Sequence, residues 1–220
     1  TWTPSPATLD LNDARAVLHG PVQVRFPDNV LARGRLQRND CATALKNAEF
    51  QTTTDVRTNY VEHAYIEPEA GWARKGGASV EITVSTQSPY MDRDECALIL
   101  GIAPEQVRII PTACGGGFGG KLDLSVQPLL AVAAWLLDKP VRLAYSRTES
   151  MMATTKRHPS AIQARAGCAA DGHLLALEFE AHFNTGAYAS WGPTVADRVP
   201  VHATGPYRID AVTAHSIALL

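Results

Sequence analysis

Apolar and polar residues alternate in several short runs along the chain and recur at helical spacing in others. Val80, Ile82 and Val84 stand at every second position between Ser79 and Thr86, which predicts a half-buried strand. Phe50 to Tyr60 is Thr-rich with partial alternation and reads as another. Val107–Pro111 is a short β-branched strand, and Val141–Tyr145 is another strand. Ala161–Ala169 and His173–Tyr188 are two strands joined at Ala170-Asp171-Gly172, a hairpin signal. Helical spacing appears at Cys41–Ala48, behind the capping pair Asn39–Asp40. It appears again from Asp92 or Asp94 to Leu100, with Gly101 as the stop. Ser125–Leu137 is strongly apolar and helical, with Pro128 tolerated in its first turn. Thr148–Lys156 is a further helix, ended by Arg157-His158-Pro159. Pro68 forbids a long helix in VEHAYIEPEAG, residues 61–71. Gly205–Pro206 marks a turn before a last strand.

The first 38 residues, with Pro4, Pro6, Pro21 and Pro27, show little periodicity and read as an irregular connecting segment from a preceding domain. Residues 39–220 then form the folded part. Strands and helices mix without a strict βαβ repeat, so the expected fold class is α+β, a mixed sheet with helices on one side.

Charge narrows the functions. Lys plus Arg is 20 against 22 for Asp plus Glu, a net charge of −2. That excludes the basic bias of a general nucleic-acid binder. The longest apolar run is too short for a bilayer, which needs ~20 residues. Cys41, Cys96, Cys114 and Cys168 are widely spaced, with no zinc-finger pattern, and read as reduced thiols in a cytoplasmic protein. The chain opens on Thr1 and closes on an apolar HSIALL, so a piece of something longer is expected.

The most specialised segment is Cys114-Gly115-Gly116-Gly117-Phe118-Gly119-Gly120-Lys121, between a predicted strand and a predicted helix. Glycines at this density cost ~0.5–1 kcal/mol each relative to Ala in regular structure. They persist where backbone amides approach a ligand closely or where φ is positive. GGGFGGK fits the first part of a phosphate-binding P-loop, but the next residue is Leu122, not the Ser or Thr that binds Mg²⁺. A nucleotide-binding module and a purely structural turn therefore stay as alternatives.

The loop, with VEHAYIEPE and STQSPY before it and KRHP after it, resembles the molybdenum-binding subunit of the xanthine dehydrogenase and aldehyde oxidase family. RLQRNDCATALKNAEF resembles the short linker helix of that family, and the likeness runs from about Asn29 to the end. The resemblance implies the N-terminal part of a molybdopterin-binding domain. It implies hydroxylation of an N-heterocycle (purine- or nicotinate-like) or an aldehyde with oxygen from water. The implied cofactor is molybdenum on molybdopterin, often the cytosine dinucleotide form in bacteria. Iron–sulfur clusters and FAD would lie on partner domains or subunits. Partners would be a small-molecule substrate and the rest of the molybdenum subunit, with no nucleic acid and no membrane span. Carried over, Phe118 and Gly119 present backbone to the metal's oxo group, Phe118 walls the pocket, and Gly115, Gly116, Gly117 and Gly120 shape the loop. The cofactor-binding set is thus Gly116, Gly117, Phe118, Gly119 and Gly120. The resemblance places the general-base Glu beyond Leu220, so no catalytic residue and no metal ligand are assigned, and the isolated piece would hold no cofactor. Leu122 replaces the Glu used on the purine by animal xanthine oxidases, which argues against animal-type xanthine chemistry, and the EHAYIEPE form resembles bacterial purine- or nicotinate-type enzymes.

Glu62, His63, Glu67 and Glu69 form an acidic cluster that could suggest a metal, but the adjacent Glu62–His63 pair and Pro68 favour acids bonded to backbone amides that fix a loop. Arg157–His158 and Lys121 are candidates for cofactor phosphates, with a helix-end ion pair or a solvent-facing lysine as the plain readings. Trp72, Trp135 and Trp191 read as packing residues, and Cys114 as a buried thiol. No GxSxG elbow supports a serine triad.

Overall fold

The computed structural model describes residues 6–8 and 10–220, so Pro4 of the expected connecting segment lies outside the described residues. In chain order the elements are α1 (Leu11–Ala16), β1 (Val30–Arg38), α2 (Cys41–Lys46), β2 (Phe50–Thr58), β3 (Ala70–Gly76), β4 (Ser79–Val84) and α3 (Pro89–Leu100). There follow β5 (Val107–Pro111), α4 (Gln127–Leu137), β6 (Val141–Ala144), α5 (Arg147–Ala153), β7 (Ser160–Cys168), β8 (Leu174–Asn184), α6 (Gly192–His202) and β9 (Ala211–Leu219). The α+β expectation holds, with two mixed sheets. No helix among the described residues is long and apolar enough to cross a membrane.

The chain divides into two compact units, and the first is discontinuous: residues up to Tyr60 together with His158–Leu220. Its five strands run in the order β1-β9-β8-β7-β2, antiparallel except for the β8–β9 pair. The parallel pair needs a crossover, and α6 supplies it. This helix lies over Gly34 and Ser216, whose hydroxyl donates to the Ala196 carbonyl at 2.6 Å. On the opposite face α2 packs Cys41 and Leu45 against Ala176 and Ala211. Asp40 caps α2 by accepting from the Thr43 amide at 3.0 Å.

Two elements here differ from the sequence reading. Val30–Arg38, expected as irregular chain, is an edge strand paired with β9. Gly34 disguises it, and a Cβ there would sit 2.9 Å from Pro200 Cγ. Gly192–His202 is a helix that the sequence does not announce, because Gly192, Pro193 and Pro200 all read as breakers. Pro193 falls in the first turn, where its missing N–H does no harm.

The second unit is Val61–Arg157. Its sheet order is β5-β4-β3-β6, with β4–β5 parallel and the other pairs antiparallel. Val80, Ile82 and Val84 meet Cys96, Ala97, Leu130, Ala131 and Ala134 from α3 and α4, which share one face of the sheet. Burying a side chain such as Leu130 contributes ~2 kcal/mol. α3 starts at Pro89, earlier than the aspartates suggest, because Pro serves at the first helical position. β3 is a further strand absent from the sequence reading: Gly71 breaks its pattern, yet a Cβ there would lie 2.7 Å from the Thr83 carbonyl, so only glycine fits. Trp72 is less a packing residue than expected. It lies more than a third exposed on the helix-free face, with the Arg74 guanidinium 5.9 Å from its ring.

Candidate functional site

The parallel β4–β5 pair sends both strands out of the sheet at the same end, where ligands commonly bind in open α/β sheets. β4 leaves into the turn Ser85–Ser88, and β5 leaves into the glycine loop, residues 114–121. A third segment, residues 61–69, packs beside both.

Glu67 anchors the beginning of the loop. Its Oε2 accepts from the Gly115 amide at 2.8 Å, from Lys121 Nζ at 2.8 Å and from the Ser85 hydroxyl at 2.7 Å. Partial burial pushes the Glu67 carboxyl up. The hydrogen bonds from Lys121, Ser85 and Gly115 with the lysine's charge outweigh that and hold it below the usual glutamate range. Lys121 is only 2% exposed and lies 4.7 Å from the centre of the Tyr65 ring. It is therefore neither a phosphate ligand nor a solvent-facing residue, the two readings the sequence allows.

Gln87 anchors the end of the loop. Its Oε1 accepts from the Gly119 amide at 3.1 Å and the Lys121 amide at 3.2 Å, and its own amide donates to the Lys121 carbonyl at 3.0 Å. The sequence marks the STQ segment but gives Gln87 no role. The alternation that would expose it stops at Val84.

Each glycine now has a physical reason. A Cβ at Gly115 would meet Glu67 Cβ at 2.6 Å, and one at Gly117 would meet Gln87 Cδ at 2.7 Å. At Gly120 it would meet Tyr65 Cε1 at 2.9 Å and His63 Nδ1 at 3.0 Å. Gly116 and Gly119 have φ of 106° and 93°, a region closed to most side chains. Nothing lies within 4 Å of a Cβ at Gly119, so its constraint is backbone alone.

Phe118 sits at the apex with φ 52°, a left-handed conformation costing ~1–2 kcal/mol for a residue with a side chain. It is 74% exposed, so most of its ring is left uncovered by the described residues. Its amide finds no acceptor among the described residues, whereas the Gly119 amide is bonded to Gln87. Strain of this kind clusters where a ligand is gripped.

The rest of the acidic cluster scatters to separate partners. Glu62 pairs with Lys156 at 2.7 Å, and Glu69 accepts from the Tyr65 hydroxyl. Burial and that carboxylate push the Tyr65 hydroxyl up from its usual range. His63 stacks near Tyr65 and leaves Nδ1 buried without a partner among the described residues. Among the described residues no three His, Cys, Asp or Glu side chains converge on a metal position. Arg147 Nη2 ties the segment down through the Tyr65 and Ile66 carbonyls at 2.7 and 2.8 Å, a contact no local pattern announces. Arg157 contributes its backbone, donating to the Val61 carbonyl at 3.0 Å. Cys114 is exposed rather than buried, because the loop turns outward before Gly115; its thiol donates to the Gly116 carbonyl at 3.3 Å.

An exposed, side-chain-poor backbone turn whose Phe118 amide finds no acceptor among the described residues can donate to an anionic group. Lys121 cancels the Glu67 charge beneath it, so no bare carboxylate repels such a group. A P-loop is not favoured: Lys121 is committed to Glu67, Leu122 replaces the hydroxyl residue, and α4 starts only at Gln127.

The family profile for the molybdopterin cofactor-binding domain matches residues 22–220, and the chain belongs to that family. It is 41% identical over 203 residues to the nicotinate dehydrogenase large molybdopterin subunit of Eubacterium barkeri, covering 90% of this chain and 48% of that protein. It is 34% identical over 194 residues to a probable xanthine dehydrogenase subunit of Bacillus subtilis, covering 87% of this chain and 26% of that protein. The chain thus spans less than half the length of these relatives. Among solved structures, the aldehyde oxidoreductase of Desulfovibrio desulfuricans superposes with a TM-score of 0.89 at 20% identity, over 99% of this chain and 24% of that one. Quinoline 2-oxidoreductase of Pseudomonas putida gives 0.84 at 22% identity, over 99% and 28%.

Proposed function

We propose that this chain is the loop-bearing part of a molybdenum hydroxylase of the xanthine dehydrogenase and aldehyde oxidase type. The substrate is an N-heterocycle, purine- or nicotinate-like, or an aldehyde. The net change is C–H plus water to C–OH, two protons and two electrons. The observation that carries this reading is the Phe118 amide, without an acceptor among the described residues, at the apex of a loop whose two ends are fixed by Glu67 and Gln87. Held there by the loop backbone, a molybdenum cofactor would supply oxygen transfer from water and the two-electron redox chemistry.

The chain's own residues do the holding. Gly116, Gly117, Phe118, Gly119 and Gly120 present backbone without side chains in the way, and a preorganised amide at Phe118 stabilises negative charge on an anionic ligand. The Phe118 ring gives the pocket an apolar wall and excludes water there. Gln87 and Glu67 keep the amides in place without reorganisation. Iron–sulfur clusters and FAD on partner domains or subunits carry the electrons away. The cofactor is molybdenum on molybdopterin, for which the cytosine dinucleotide is one candidate form, the general base comes from chain outside these residues, and the assembly is cytoplasmic. The expected boundary at residue 38 shifts in this proposal, since β1 completes the sheet of the first unit.

The test is elemental analysis of the intact purified complex, with pterin released by oxidation and ¹⁸O-water turnover on nicotinate, purines and aldehydes. About one molybdenum and one pterin per copy, with labelled product, is the expected result. A fully assembled complex lacking both refutes the proposal.

A further inference from the structure

Behind the Gln87 turn lies a buried carboxyl that the chemistry above does not use. Asp92, in the first half of α3, is fully buried, and Gln127 at the start of α4 is 1% exposed. Gln127 Nε2 donates to Asp92 Oδ2 at 3.1 Å, while Gln127 Oε1 accepts from the Ser125 amide at 2.8 Å. On the other side, the Thr86 hydroxyl lies against the Asp92 carboxyl, and Thr86 Oγ1 accepts from the Ser88 amide at 3.0 Å. The Asp92 amide donates to the Ser88 carbonyl at 3.0 Å. Asp92 therefore touches both chain segments that bracket the glycine loop: Thr86–Ser88, which carries Gln87, and Ser125–Gln127, which follows Lys121.

A carboxyl buried this completely is unfavourable unless its bonds are needed. Burial pushes it up from the usual aspartate range, the Thr86 hydroxyl and Gln127 amide pulling it part of the way back. Its Oδ1 has no hydrogen-bond partner among the described residues, so an apolar side chain would serve α3–α4 packing better. What an apolar residue could not do is fix the two turns relative to each other.

We propose that Asp92 is a positioning residue for the glycine loop, a brace between the starts of α3 and α4 that holds Gln87 where its Oε1 reaches the Gly119 and Lys121 amides. The consequence for cofactor retention rests on the function proposed above; the brace itself does not.

The experiment is hydrogen–deuterium exchange on the purified complex, read by mass spectrometry over peptides spanning residues 112–124 and 79–84, with molybdenum content measured alongside. Asp92→Val stays close in shape and removes the acceptor. Exchange in the loop peptide is expected to rise about tenfold, the effect of losing one buried hydrogen bond. The β4 peptide stays protected. Asp92→Asn keeps an acceptor oxygen for Gln127 and should restore wild-type loop exchange. Should Asp92→Val fail to accumulate, Gln127→Met breaks the same bond from the other helix. Unchanged loop exchange in Gln127→Met and Asp92→Val overturns the proposal. So does a rise shared equally by loop and β4, which marks general loosening, or an Asp92→Asn protein that behaves like Asp92→Val. Faster loop exchange with full molybdenum content leaves the brace standing and removes the loop from the cofactor site.

Discussion

Replacing Lys121 with Met tests whether the buried pair beneath the loop holds it. The substitution keeps most of the apolar stem against Tyr65 and deletes the ammonium that lies 2.8 Å from Glu67 Oε2 and 3.1 Å from Ser85 Oγ. Breaking a fully buried ion pair by removing one partner costs ~3–5 kcal/mol. Glu67 is a third exposed and keeps two donors, Ser85 and Gly115, so about 2 kcal/mol is the expected loss. The pH dependence follows from the Glu67 shift. Its folded carboxyl lies below its unfolded value of ~4.3, so its contribution is complete above that value. It fades as the pH falls through the folded value. Urea denaturation of the intact subunit should show the full deficit at pH 7 and a smaller one at an acid pH below the folded carboxyl's own value. Glu67→Gln should lose nearly as much alone, and the double variant little more, since the two changes remove one interaction. A deficit equal at both pH values, or additive losses in the double variant, would show that Lys121 stabilises through its stem and not through its charge.

Other perturbations follow from the same geometry. Gly117→Ala drives a methyl into the Gln87 amide and should release the Gly119 and Lys121 amides, lowering molybdenum content of the complex several-fold with ~1 kcal/mol lost in stability. Gly119→Val meets no atoms but a φ of 93°, so hydroxylation by the intact complex should be abolished with only a modest loss of fold; unchanged turnover refutes the site. Phe118→Ala, at an exposed position, should change stability by no more than ~0.5 kcal/mol while turnover falls; a large destabilisation instead would show that the ring packs. Iodoacetamide at pH 8 should alkylate Cys114 first and leave Cys96 untouched until unfolding, because burial pushes the Cys96 thiol up to about 12; peptide mapping reads the order.

Where periodicity is clean, the sequence is enough. β4 alternates Val80, Ile82 and Val84, and α4 carries its core stripe with Pro128 in the first turn. What escapes is carried by residues whose local preference opposes their role. Gly34 and Gly71 weaken strand signals because neighbouring atoms leave no room for a Cβ, and that crowding comes from residues far along the chain. α6 hides behind Gly192, Pro193 and Pro200. The glycine loop stands out by its composition alone. Its anchors do not, because Glu67 and Gln87 lie 48 and 32 residues before the amides they hold. Lys121 misleads for the same reason: its partner is 54 residues away.

The first unit is interrupted by the second, and that interruption sets an order of events during synthesis. β2 must find β7 across a separation of 102 residues, measured at the Thr58–Ser160 contact. At ~5–20 residues per second, the nascent chain carries unpaired β1 and β2 for on the order of ten seconds while Val61–Arg157 emerges. Val61–Arg157 is contiguous and can close its own sheet as soon as it leaves the ribosome. β2, with its Thr-rich and largely solvent-facing side chains, is well suited to that wait: it offers a chaperone or a neighbouring chain little apolar surface to seize.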